Sequence, residues 1–167
     1  MRKIRNLLAL ILVSFLVVKP GGAELVIDVT SGRVEPMPIA ITDFYGATPQ
    51  LADLGMQISK IISDDLENCG LFKPLDKMSF IQSPAQLKEY IRHADWRLIN
   101  AQTLVRGEVK QMSDGRLKVE FRLFDVISEK QMEGLAFPFD QKLLRRIAHK
   151  IADAIYKRVT GDEGYFD

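Results

Sequence analysis

Two runs of alternating residues joined by an Asp-Gly turn constrain this chain most. Over 103–111 and 116–124, Leu117, Val119, Phe121 and Leu123 point one way while Lys118, Glu120 and Arg122 point the other. Period-two alternation is the mark of a half-buried strand, and Ser113-Asp114-Gly115 supplies the tight turn. A third strand over 131–137 returns after Ser128-Glu129-Lys130, giving a three-stranded antiparallel meander. Such a sheet has one apolar face, so the rest of the chain must supply helices to cover it.

The sequence provides them. Leu51, Leu54, Ile58, Ile61, Ile62, Leu66 and Cys69 recur at helical spacing, with Lys60, Asp64, Asp65 and Glu67 opposite and Gly70 as the stop. Ser83 caps a second helix with Pro84 in its first turn, and Leu87, Tyr90, Ile91 and Ala94 are its expected inner stripe. Asp140 opens a last helix striped by Leu144, Ile147, Ala148, Ile151, Ile155 and Val159 and ended by Gly161. The short apolar run 39–44 reads as an inner strand covered on both faces, and 71–75, with Pro74, as an extended piece near an edge. The predicted class is therefore α+β: an α/β sandwich whose mixed five-stranded sheet carries long helices, preceded by an extended N-terminal arm.

The amino end reads as an export leader over 1–23. Arg2, Lys3 and Arg5 form a basic head, 7–18 is apolar apart from Ser14, and Gly21 and Ala23 are small residues ahead of Glu24. The apolar run is shorter than the roughly 20 residues that span a bilayer, so cleavage between Ala23 and Glu24 is expected. Of 23 basic residues four, Arg2, Lys3, Arg5 and Lys19, lie in the leader, which leaves 19 against 22 acidic ones. That balance argues against nucleic acid as a partner, because phosphate neutralisation needs clustered cations. The single cysteine, Cys69, forms no internal disulfide and reads as a small apolar residue.

No catalytic constellation emerges. His93 and His149 lack metal-ligand spacing, and the nucleophile elbow, phosphate loop and dinucleotide fingerprint are missing. Asp64 and Asp65 diverge by about 100° on a helix and suit a solvated face. The expectation is a protein without metal, cofactor or reaction. A rival reading is a stand-alone periplasmic ligand-binding or hydrolytic α/β domain whose pocket gathers His149, Asp153 and Tyr156 along one helix flank. The segment behind the leader offers more. Leu25, Ile27 and Val29 alternate with Val26, Asp28 and Thr30, then Ser31-Gly32-Arg33, Pro36 and Pro38 interrupt the pattern. From the pattern alone it suits equally an edge strand of its own sheet and a strand added to a partner's sheet.

The run 145–157 with Thr160-Gly161 and Gly164-Tyr165-Phe166-Asp167 resembles the end of the amino-terminal domain of the TolB family, the periplasmic component of the Tol-Pal envelope system. Residues 32–41, Cys69-Gly70-Leu71-Phe72, Leu104-Val105-Arg106-Gly107 and 118–125 agree with it. The resemblance implies a leader over 1–23, an arm over 24–36, an α/β domain over 37–161 and a linker start at 162–167. Family members continue into a C-terminal β-propeller, and the blade-length repeats that would form one do not occur here. The resemblance further implies a non-enzymatic, monomeric adaptor whose arm binds the C-terminal domain of inner-membrane TolA. Carried over, that arm is Glu24, Leu25, Val26, Ile27, Asp28, Val29, Thr30, Ser31, Gly32 and Arg33. Pal and colicins are partners of the propeller in this family, so their sites have no counterpart in these residues.

Overall fold

The computed structural model describes residues 35–166. The expected leader, its cleavage site at Ala23 and Glu24, and the arm over 24–33 lie outside the described residues. Strand β1 (Met37–Ile41) begins the domain and β2 (Tyr45–Gly46) follows at once. Helix α1 (Pro49–Asn68), β3 (Phe72–Pro74), α2 (Pro84–Glu89) and α3 (His93–Leu98) come next. Then β4 (Thr103–Gln111), β5 (Leu117–Asp125) and β6 (Gln131–Phe139) form the meander, and α4 (Leu144–Thr160) closes the fold.

The sheet runs β3-β1-β4-β5-β6, with β2 paired to the far end of β4. β1 lies parallel to both β3 and β4, whereas β4, β5 and β6 are antiparallel, so the sheet is mixed. It has six strands where five are expected. The extra strand exists because Gly46 lets the chain run against α1: a Cβ there would sit 2.2 Å from the Ala52 amide nitrogen. Two residues are too short to show a period in the sequence.

α1 and α4 pack together on one sheet face. Their stripes bury Ile58, Ile62, Leu66, Ile151 and Ile155 against Ile39, Ile41, Val105 and Phe121. α1 begins where the Thr48 hydroxyl accepts from the Leu51 amide, and α4 stops at Gly161, whose φ of 86° suits a residue without Cβ. The second face is covered only at one end, where Leu87 and Trp96 pack on Ala40, Leu104 and Phe124. β1 is thus buried on both sides, as its apolar run predicts.

One helix is corrected. Ser83 caps α2 with a full capping box to Gln86, but the helix ends at Glu89 because Tyr90 is extended (φ −157°, ψ 157°). Tyr90 is exposed and Ala94 lies outside, so neither belongs to an inner stripe. Trp96, 1% exposed, anchors this layer instead, with its indole N–H on Gln82 Oε1. Breaking the helix is what turns that indole inward.

Candidate functional site

The half-covered sheet face carries the polar site. Hairpin register places Arg106 opposite Arg122, Glu108 opposite Glu120 and Lys110 opposite Lys118. Alternation puts all six on the face that α1 and α4 leave free, beyond the end capped by α2. Like charges directly opposite are unfavourable, so each carboxylate is served by lysines along its own strand, across the diagonal or from α2. Glu108 binds Lys88 (3.2 Å) and Lys110 (2.9 Å), and Glu120 binds Lys118 (2.6 Å) and Lys110 (3.7 Å). Lys118 first, with Lys110 assisting, holds the Glu120 carboxyl below the usual range.

Between this ladder and α2 lies a cleft of about 290 Å³, lined by Thr42, Asp43, Leu87, Arg106, Glu108 and Arg122 among others. Arg106 is held from two sides. Its Nη1 donates to the carbonyls of Leu87 (2.6 Å) and Lys88 (3.2 Å), and its guanidinium lies 5.7 Å from the Phe124 ring centre. Burial, and then the charge of Arg122, push its pKa below the ordinary arginine value.

Beside the cleft, Asp43 accepts from Lys77 Nζ (2.5 Å) and from Ser59 Oγ (2.8 Å), with Lys77 also 3.1 Å from that hydroxyl. A serine next to a lysine can be a nucleophile and its base. Here Ser59 is fully buried mid-helix, so no substrate atom reaches it. The trio anchors the 42–44 loop to α1.

The rival histidine site is not assembled. His149 Nδ1 lies 2.7 Å from Asp65 Oδ2 across the α1–α4 contact. Asp153 Oδ1 accepts from the Phe166 amide at 2.9 Å, and Tyr156 packs edge-on against Tyr165 and Phe166. The three side chains thus engage separate neighbours. Asp64 and Asp65 do diverge, Asp64 to Lys60 and Asp65 to His149. Cys69 is half-buried with its thiol on the Leu66 carbonyl, as a packing residue would be. Among the described residues no His, Cys, Asp and Glu group could hold a metal ion, and no helix is long and apolar enough to cross a membrane.

The arginine pair escapes the sequence reading because it depends on register. Counting outward from Asp114-Gly115 through the five-residue loop 112–116 would have paired Arg106 with Arg122.

The family model for the TolB amino-terminal domain matches residues 25–132. A Tol-Pal system protein TolB from Paramagnetospirillum magneticum is 47% identical across 100% of this chain and 38% of its own length. Another from Dinoroseobacter shibae is 45% identical across 84% of this chain and 32% of its own. The chain therefore spans about a third of the length of these curated relatives. Crystalline TolB from Acinetobacter baumannii superposes with a TM-score of 0.61 at 26% identity, over 77% of this chain and 29% of that one. Protein CT253 from Chlamydia trachomatis, 17% identical with a TM-score of 0.54 over 75% of this chain and 99% of its own, shares the fold alone.

Proposed function

The chain belongs to the TolB family through its amino-terminal domain, and on that premise we propose that it is a periplasmic adaptor of the Tol-Pal system without catalytic activity. Residues 1–23 export it and are removed. The arm from Glu24 to Arg33 adds as a strand to the C-terminal domain of TolA, with Leu25, Ile27 and Val29 as its apolar contacts. The body over 37–161 presents the arm, and 162–167 begin a linker towards a propeller that would meet Pal. In that arrangement the protein couples inner-membrane TolA to the outer-membrane side, supporting envelope integrity and constriction at division.

One observation carries this reading. The alternating Leu25, Ile27 and Val29 fall at the start of the segment that the family model matches. Strand addition needs such a segment: main-chain hydrogen bonds give affinity, and every second side chain gives selectivity. The engagement of His149, Asp153 and Tyr156 in packing supports a role without chemistry.

Ile27→Asp tests it by calorimetric titration with the TolA C-terminal domain. Placing a charge where an apolar anchor docks is expected to weaken binding by more than about 1 kcal/mol. Unaltered affinity would count against the arm as the contact.

A further inference from the structure

The geometry points to the cleft between α2 and the β4–β5 ladder as a binding site for a carboxylate, held between Arg106 and Arg122. Charge accounting is the argument. Of the acids that line the cleft, Asp43 is engaged by Lys77, Glu108 by Lys88 and Lys110, and Glu120 by Lys110 and Lys118. Neither arginine makes an ion pair among the described residues, Glu108 acting on Arg106 only through longer-range attraction, although the two sit directly opposite on the paired strands. Like charges opposite each other repel, and both arginines line the same cleft.

Arg106 is also pre-positioned. The Leu87 and Lys88 carbonyls fix Nη1, Phe124 supports the guanidinium plane, and Nε is buried without a hydrogen-bond partner. A side chain held this firmly loses little entropy when it binds, and the planar fork of arginine matches a carboxylate. Arg122 is exposed on the same face and can close on the anion from the other strand. Burial and the charge of Arg122 disfavour the cation at Arg106, and the charge of a bound anion offsets that penalty. A cleft of about 290 Å³ admits an acidic side chain or a small dicarboxylate and little more. The residues named for this site are none of those proposed to contact TolA, so its test is separate from that of TolA binding.

The experiment is an NMR titration of the full chain, following the Gly107 amide and the arginine Nε–H signals. The probes are glutarate and N-acetyl-Ala-Glu-Ala-amide, with N-acetyl-Ala-Gln-Ala-amide and sodium chloride at matched ionic strength as controls. Saturable shifts confined to the cleft with the carboxylates, and absent with both controls, are expected. The tighter of the two carboxylate probes identifies the source as a small dicarboxylate or an acidic polypeptide side chain. Arg122→Gln, at an exposed position that leaves the core intact, should weaken binding about tenfold. Arg106→Gln should do the same with dispersed spectra retained. Shifts that fail to saturate, that chloride or the glutamine peptide reproduces, or that survive Arg122→Gln at wild-type affinity would overturn the site.

Discussion

Gln82 is the residue on which the smaller core turns. It is 3% exposed, its Oε1 accepts from the Arg92 amide (2.8 Å) and the Trp96 indole (3.1 Å), and its Nε2 donates to the Tyr90 carbonyl (3.1 Å). One side chain therefore satisfies the backbone polar groups freed where α2 breaks. Gln82→Ala would strand the Trp96 N–H and the Arg92 amide at once, so a loss of about 2 kcal/mol in urea unfolding is expected. An unchanged midpoint would show that water or a rotated neighbour replaces the amide. Gly107 works by absence. A Cβ there would lie 2.3 Å from the Phe44 ring, which covers that point of β4. Gly107→Val must displace Phe44, 1% exposed in the main core, at a cost of about 1–3 kcal/mol. Thermal unfolding should register it as a lower Tm, and an equal Tm would mean the ring has another place to pack.

At the scale of elements, the Asp125 carboxylate caps the backbone of the β5–β6 connection, while Glu129 ties it to Arg97. Asp125 accepts from the Ile127 amide (2.8 Å) and the Ser128 amide (2.9 Å), and Glu129 then adopts a φ of 59°. The Ser128 amide first, with the Ile127 amide, holds the Asp125 carboxyl below the usual range. A depressed acid contributes stability that is complete above its unfolded value and lost as pH falls through the folded one. The stability gap between wild type and Asp125→Ala should therefore be widest near neutrality and shrink below the ordinary aspartate range. A gap independent of pH would show that the turn needs no charge. Turns and caps of this kind are legible in a sequence because their causes are local: Ser83-Pro84, Asp114-Gly115 and Gly161 each specify their own geometry. The break at Tyr90 is not, since Leu87, Ile91 and Ala94 keep helical spacing straight through it. Its cause is the demand of Trp96 for Gln82, which only the folded chain expresses. Arg106 and Arg122 were equally hidden, because each alone reads as the polar side of an amphipathic strand. The Gly164-Tyr165-Phe166 ending, by contrast, is a recognisable string whose physics emerges only in three dimensions. A Cβ at Gly164 would lie 2.1 Å from the Asp153 carboxylate, the acceptor of the Phe166 amide, and both rings stack around Tyr156.

For the whole molecule, two helices in one layer on one face and a partial layer on the other give a domain held by packing, with a single half-buried thiol and no cross-link within the chain. Among the described residues the core runs from β1 to α4. If the arm serves TolA as proposed, removing 24–33 should leave the urea midpoint of the domain unchanged while it removes every apolar contact proposed for TolA. Isothermal titration of the TolA C-terminal domain into the chain with and without residues 24–33 separates these roles most directly. Saturable binding by the intact chain and none by the shortened, still-folded one is the predicted result. Equal affinity for both would contradict the adaptor account.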